Sequence, residues 1–547
     1  MENQKTHASS ARQVLAGEPQ TIPESFRRTV NRVPERLAIR NTQPVAGEPD
    51  EIRYRELDEQ SDRVAAALAM HGVRKGDRVA IQSLPRIRFA ASLLGILKIG
   101  AWAVPLDPLL TVAETDGILH NANPKAAFVE RKYVERFLPS VSDVVNLDDS
   151  GEGIPFSSFV EVSAPAPTVC VEPSDIAVLA YTSGTTGGAK GVMLSHGNLM
   201  ADTVLSTRVM PMSEKDVFLS IAPWHHALGL TSSLLVPLHH GAVTMFTKDY
   251  RAIAAILAKH GVSVFIGVPK LYHAMYDRLC AQINAKPLGR WMLRRMPRVV
   301  GHTVRKKLTG GRLRFFVSGS APLEGRVSLG FRRLGIGLLE GYGLTETSPI
   351  VCFCDPFCRK SASVGPPLPS IEVKVIDPGT DGVGELCVRG PTVMKGYYRD
   401  PQSTSQTIDP DGWFHTGDLA MLDAEREIFL KGRAKNVIVL ESGKKVYPEE
   451  VEWEIARIPF VEEVMVRSGL DGGHEVVQAL VYPNRAVLTD AGVDDSAQEA
   501  IWQAIRVRQN RLSPYKRIRS REHLVLVDRP FPKTSTLDIK RHAVASA

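Results

Sequence analysis

Residues 181–191 read Tyr-Thr-Ser-Gly-Thr-Thr-Gly-Gly-Ala-Lys-Gly. Hydroxyls, glycines and one lysine at this density suit the binding of a polyphosphate. Glycines let the backbone approach phosphate oxygens, and successive N–H groups form an anion-binding nest. Thr182, Ser183, Thr185 and Thr186 add hydroxyl donors, Gly184 and Gly187 keep the loop close, and Lys190 adds a point charge. The spacing is not that of a Walker loop, which needs Gly-x4-Gly-Lys-Ser/Thr. A second string, Glu340-Gly341-Tyr342-Gly343-Leu344-Thr345-Glu346-Thr347, offers an aromatic face, a hydroxyl and a hard carboxylate within five residues. A third, Ser318-Gly319-Ser320-Ala321-Pro322, is a tight small-residue turn.

These strings need a scaffold, and the alternation around them supplies one. Short apolar runs at Val79–Ile81, Ala103–Leu106, Ala177–Ala180, Val217–Ile221, Val243–Phe246, Val264–Val268 and Arg314–Val317 read as buried strands. Helical stretches such as Arg251–His260 lie between them. Continuous apolar strands alternating with helices predict layered α/β units. The phosphate loop and the small-residue turn each follow such a strand, and the Glu340 string is expected to follow another. From Ser370 onward, strict alternation as in Ile371-Glu372-Val373-Lys374-Val375 predicts antiparallel β structure with one solvated face.

The chain has 547 residues, 44% hydrophobic and 23% charged, which is the composition of a soluble globular enzyme of several units. Residues 1–20 are expected to be disordered, 21–433 to form a large domain, and 434–547 a small α+β domain with a hinge near Lys435. The net charge of +7 is modest for this length, anionic small molecules account for it as well as nucleic acid would, and no basic patch is interleaved with stacking aromatics. Nucleic acid is therefore not an expected partner. The longest apolar stretch, Phe89–Val104, contains Lys98 and two glycines and reads as a helix and a strand rather than a membrane span. Six cysteines make no disulfide framework, and a reduced, cytoplasmic protein is expected. Cys352, Cys354 and Cys358 lack a partner pair at zinc-like spacing and read as small packed residues.

The ordered Thr-Ser-Gly-Thr-Thr-Gly string with its lysine resembles the signature of the adenylate-forming superfamily, which includes the acyl-CoA synthetases and luciferases. Ala189 stands where that family usually has proline. Seven ordered motifs match, from about Ser25 to Arg541. The resemblance implies a multi-layer α/β fold: a large domain of β-sheets flanked by helices plus a β-barrel, and a small mobile C-terminal domain. It implies ATP, AMP or acyl-adenylate, Mg2+ and coenzyme A as cofactors, with a carboxylic acid as the other substrate. Residue by residue, it implies that Gly319, Ser320, Ala321, Glu340, Gly341, Tyr342 and Gly343 line the adenylate pocket. Thr345 would meet the α-phosphate and Glu346 the Mg2+. Asp418, in Gly412-Trp413-Phe414-His415-Thr416-Gly417-Asp418, would accept both ribose hydroxyls, Arg433 would reach the nucleotide, and Lys435 would be the hinge.

Pro223-Trp224-His225-His226-Ala227-Leu228-Gly229 resembles the motif lining the acyl pocket. It puts His226 near the carboxyl group and His225, Leu228 and Gly229 in the pocket wall. It supplies no aspartate, and this disfavours an amino-acid substrate. Glu441–Pro448 resembles the loop beside the pantetheine tunnel, with Gly443 admitting the thiol arm and Lys444 next to it. Arg506, Arg508, Arg511, Lys516 and Arg517 read as a solvated basic face.

The last motif departs from the family. Residues 532–541 read Pro-Lys-Thr-Ser-Thr-Leu-Asp-Ile-Lys-Arg, and Asp538 occupies the register of the lysine that bridges carboxylate and α-phosphate. The expectation is a thioester-forming acyl-CoA ligase with weak or absent adenylation, which takes acyl-adenylate from a separate adenylating enzyme. Three alternatives stand beside it. Lys540 shares a face with Asp538 if the segment is extended and would restore a complete ligase; Lys533 is a weaker substitute. The acceptor would be a carrier protein instead of coenzyme A, or the protein would bind acyl or nucleotide groups without catalysis.

Overall fold

The computed structural model describes residues 15–182, 189–319, 321, 323–358, 360, 362–533, 539–541 and 544. The chain divides into two compact units: residues up to Val373 together with Val388–Phe414, and Lys374–Cys387 together with the residues from His415 on.

Two large sheets build the first unit. One has seven strands in the order Ile154–Pro155, Asp143–Asn146, Ala126–Val129, Arg78–Gln82, Trp102–Pro105, Ile176–Thr182 and Lys190–Ser195. All neighbours are parallel except the last pair. The other has eight strands in the order Ile350–Phe353, Gly337–Gly343, Phe315–Ser318, Val264–Gly267, Val217–Ser220, Val243–Phe246, Leu37–Arg40 and Glu51–Arg53. Its six inner strands are parallel, and both edges are antiparallel. Parallel sheets bury both faces, which explains why these strands are continuous apolar runs. The helix Ile87–Lys98 is buried over nearly its whole length. It is followed by the strand Trp102–Pro105, as the interrupted apolar stretch predicts.

One local expectation changes. Glu340–Gly343 do not follow a strand but lie inside one, Gly337–Gly343. Antiparallel pairing with Ile350–Phe353, with Gly341 opposite Phe353 and Tyr342 opposite Cys352, carries the strand through a glycine-rich stretch that apolar patterning does not mark.

The second unit contains the greater part of a four-stranded sheet, Glu372–Ile376, Gly384–Arg389, Phe414–Leu422 and Ile428–Arg433. This is the region read as alternating β structure, and it groups with the C-terminal residues. After it come the hairpin Ile438–Val439 and Lys445–Val446, the helix Pro448–Ile455, a three-stranded sheet and the helix Ala497–Arg508. Val451, Ile455, Val466, Val481, Ile501, Ile505 and Leu524 form their common core.

Candidate active site

The phosphate loop is presented by an antiparallel pair in which Thr182 is directly opposite Lys190. Ser183, Gly184, Thr185, Thr186 and Gly187 lie outside the described residues, as do Ser320 and Asp538. Lys190 is held firmly. Its Nζ donates to Ser403 Oγ at 2.9 Å and lies 5.0 Å above the centre of the Tyr397 ring. Tyr397 in turn donates its hydroxyl to Glu346 Oε1 at 3.0 Å. Burial, and then the charge of Glu346, push the Tyr397 hydroxyl above its ordinary range, so it remains a donor. The segment is fastened to the loop's stem, where Met193 N–H donates to Gly396 O and Tyr398 N–H donates to Gly191 O.

Lys190, Tyr397 and Glu346 therefore form one connected array: an ammonium, an aromatic bridge and a carboxylate. Glu346 sits in the 3-10 turn Thr345–Thr347, with Thr345 beside it. With Tyr397 on Oε1, its carboxylate is oriented, and carboxylate oxygen is a donor type suited to Mg2+, which is bound by one or two carboxylates and keeps several waters. Sequence reasoning missed Tyr397 and Ser403, because neither is near Lys190 or Glu346 in the chain.

Tyr342 and Gly343 end the strand Gly337–Gly343, just ahead of the Thr345–Thr347 turn. Glu340 has a different position from the one expected. Its carboxylate is buried against Arg332, with Nη2 3.0 Å from Oε1, so it is committed to an ion pair rather than offered to a ligand. Arg332 also donates to Leu338 O, Cys358 O and Cys354 Sγ. Burial raises the Glu340 pKa, and Arg332 opposes that rise. The Cys354 thiol, pushed up to about 12 by burial, also accepts from the Glu340 N–H. Ala321 is exposed, and Gly319 lies under Leu228, whose Cδ2 would be 3.0 Å from a Cβ placed there. The adenylate-pocket and acyl-pocket motifs therefore meet at Gly319 and Leu228.

In the acyl-pocket motif, Gly229 is required by close approach: a Cβ would lie 2.0 Å from Pro223 O. Trp224 is buried and packs edge-on against Phe89. The turn at Trp224–His225 brings the two histidine rings to 4.4 Å, both facing Asp107. His225 Nε2 is 3.4 Å from Asp107 Oδ1, and His226 Nε2 is 3.8 Å from Oδ2. Burial lowers both imidazole pKa values, so both rings are neutral at neutral pH. Asp107 precedes these histidines by more than a hundred residues, and sequence reasoning did not find it. The same unit contains an apolar cavity lined by Thr207, Met210, Phe218, Val236, Ile266 and Phe353, among others.

The second unit carries Asp418 and Arg433. Asp418 and Arg433 are cross-strand partners, and Arg433 Nε is 2.7 Å from Asp418 Oδ1. Asp418 N–H donates to Thr416 Oγ1 within the strand Phe414–Leu422. Lys435 lies in the short turn after Arg433, and burial followed by the charges of Arg433 and Arg541 lowers its pKa. Gly443 caps the hairpin Ile438–Val446 at φ +73°, and a Cβ there would meet nothing within 4 Å. In this structure the glycine serves the turn. Lys444 Nζ lies 4.9 Å from the Tyr515 ring centre. Lys516 pairs with Glu450 and Arg508 with Glu454, so part of the expected solvated basic face is engaged in ion pairs.

Around the departing motif, Lys533 and Ile539 form an antiparallel bridge, and Lys540 N–H donates to Pro532 O at 2.8 Å. Lys533 Nζ is paired with the buried carboxylate of Glu463. Arg541 is held bidentately by Glu452, which burial pushes up to about 7 against the pull of that guanidinium.

Comparison with known proteins agrees with this geometry. Residues 26–398 match the model of the AMP-binding enzyme family, and 435–547 match that of the AMP-binding enzyme C-terminal domain. The chain is 31% identical to 4-coumarate-CoA ligase 1 of Narcissus pseudonarcissus over 471 residues, covering 80% of this chain and 81% of that protein. It is 28% identical to the peroxisomal long chain acyl-CoA synthetase 7 of Arabidopsis thaliana over 501 residues, 81% and 70% of the two chains. Among solved structures, ATP-bound MatB from Rhodopseudomonas palustris superposes with a TM-score of 0.76 at 26% identity, covering 96% of this chain and 98% of that one. O-succinylbenzoate coenzyme A synthetase from Bacillus subtilis, in complex with AMP, shares the fold at a TM-score of 0.76 and 23% identity, with the same coverage. With both of its parts matched, the chain belongs to the AMP-binding, adenylate-forming enzyme family.

Proposed function

We propose that this protein is an acyl-CoA ligase that forms a thioester from acyl-adenylate and coenzyme A, releasing AMP, and that its own adenylation step is weak. The observation that carries this reading is Asp538 in the register of the bridging lysine. In adenylation, a carboxylate oxygen attacks the α-phosphate and pyrophosphate leaves, with negative charge gathering between the two. Losing one positioned donor at such a point costs about 10²–10³ in rate, and an ionised aspartate adds repulsion. Lys533 is a poor replacement, since Glu463 already takes its ammonium.

The thioester step makes other demands. The thiolate sulfur attacks the carbonyl of the mixed anhydride, and AMP leaves as the phosphate anion. The adenylate must be held by its base, ribose and phosphate, for which Tyr342, Asp418, Arg433 and Thr345 are the candidates. The neutral His226 beside Asp107 would orient the acyl carbonyl. Mg2+ bound through Glu346 would neutralise phosphate charge when ATP is present.

One observation favours a second reading, the complete ligase with Lys540 as the bridging cation. The Lys190–Tyr397–Glu346 array is intact, and a cation beside a carboxylate suited to Mg2+ would serve the polyphosphate of ATP rather than AMP.

The test supplies hydrophobic acids with ATP, Mg2+ and coenzyme A in one reaction, and synthetic acyl-adenylate with coenzyme A in another. Acyl-CoA from the second alone is expected. Asp538→Lys should then raise acid-dependent pyrophosphate release by about 10²–10³ and leave the thioester step nearly unchanged. Release that stays at background in a folded Asp538→Lys variant refutes the assignment. Efficient turnover of free acid by the parent protein, abolished in Lys540→Ala, establishes the second reading.

A further inference from the structure

From Arg278 to Arg314 the chain carries eleven lysines and arginines and no acidic residue; the whole chain carries +7, so all other residues sum to −4. The cations are concentrated on three consecutive helices of the first unit, Pro269–Asn284, Pro287–Arg295 and Pro297–Thr309. The middle helix has no buried residue. Its Met292 and Leu293 are partly buried and pack on the core below. Leu288 and Trp291, three residues apart and therefore on one face, are 67% and 54% exposed. Met296 and Val299, just beyond, are 43% and 45% exposed. Lys286, Arg290, Arg294, Arg295 and Arg298 are exposed around them. The segment holds a single tryptophan, so its cations are not interleaved with stacking aromatics.

We infer that residues 286–299 dock the protein on an anionic lipid surface. Leu288, Trp291, Met296 and Val299 would enter the boundary between headgroups and acyl chains. The arginines and lysine would neutralise lipid phosphates, their aliphatic stems lying along the same boundary. The aliphatic members decide between this partner and nucleic acid. A single-strand-binding surface stacks bases on several aromatics, whereas exposed Leu, Met and Val gain only from an apolar layer. A membrane supplies that layer and the negative charge together. No helix among the described residues is long and apolar enough to cross a membrane, so the contact is interfacial.

The experiment is sedimentation of the full chain with vesicles of phosphatidylcholine, with and without about 30% phosphatidylglycerol. No acid or nucleotide is added, so the outcome is separate from that of the acyl-CoA assay. Binding to the anionic vesicles is expected, with a blue shift in tryptophan emission that Trp291→Phe removes. Arg290→Gln/Arg294→Gln/Arg295→Gln should weaken binding by about 10²-fold, taking about fivefold per cation. Leu288→Ser/Trp291→Ser should weaken it about tenfold or more. These side chains are exposed, so both variants should keep the parent's unfolding midpoint. Absence of binding to anionic vesicles at low salt, or binding that both variants retain, overturns the inference. Tight binding of single-stranded RNA with no binding to vesicles also overturns it.

Discussion

Replacing Arg332 by Met should destabilise the first unit strongly, and by an amount that depends on pH. The Arg332 and Glu340 side chains are 4% and 8% exposed, so the pair is buried. Removing one partner of a buried pair costs about 3–5 kcal/mol, chiefly because the remaining charge is left in low dielectric. The two backbone carbonyls that Arg332 serves, Leu338 and Cys358, add about 1 kcal/mol each. The charge term can be isolated. Burial already raises the Glu340 pKa, and without Arg332 only the Ser328 hydroxyl opposes that rise. A carboxyl whose folded pKa exceeds its unfolded value takes up a proton on folding. Its full stability is present below the unfolded pKa and is lost as pH rises toward the folded pKa, at up to about 1.4 kcal/mol per pH unit. Between pH 5 and pH 8 the Arg332→Met variant should therefore lose up to about 4 kcal/mol relative to Arg332→Met/Glu340→Gln. The assay is urea unfolding of parent, single and double variants at both pH values, followed by tryptophan fluorescence. Equal midpoints for single and double variants at pH 8, or a single-variant cost independent of pH, would show that Glu340 is not buried against Arg332.

Tyr397→Phe removes the hydroxyl that orients Glu346 and should raise the half-saturating Mg2+ concentration for pyrophosphate release about 2- to 10-fold, measured in an Asp538→Lys background. His196 is buried, and burial holds its imidazole down to about 4. A histidine with a depressed folded pKa protonates on unfolding, so it costs stability as pH falls from about 6.5 toward 4, by up to about 3 kcal/mol. His196→Gln, whose Oε1 can accept the Ile22 N–H that Nδ1 now accepts, should narrow the stability gap to the parent on acidification; a gap that does not change with pH refutes this.

The parts of the fold legible in the sequence were those where burial is continuous. Strands such as Val243–Phe246 and Val264–Gly267 lie inside a parallel sheet with both faces covered, so they are apolar but for Thr244, whose hydroxyl donates to Ser233 O. Gly337–Gly343 was legible only in its first half, because after Leu339 its integrity depends on cross-strand pairing rather than on side-chain pattern. The motifs named the neighbourhood of the site but not all of its wiring. Glu340 is in a ligand-like string, yet its partner is an arginine eight residues earlier whose role no local pattern announces. Asp107 meets His225, and Tyr397 meets Glu346, across separations that only the folded sheets close. Spacing rules apply within an element, so contacts set by topology escape them.

The intact phosphate array then gives a sharper test than the missing lysine alone. Lys190 is held by Ser403 and lies over the Tyr397 ring, whose hydroxyl meets Glu346. An enzyme that only forms thioesters from supplied adenylate handles a single phosphate, whereas Lys190 belongs to the loop suited to a chain of them. Lys190→Ala should therefore leave acyl-adenylate turnover within about twofold while reducing pyrophosphate release in the Asp538→Lys background by about 10²-fold, the worth of one positioned cation on a developing phosphate charge. If Lys190→Ala instead slows the thioester step by the same factor, the lysine contacts the adenylate itself. The intact array would then be explained by the thioester step alone and would no longer favour ATP use.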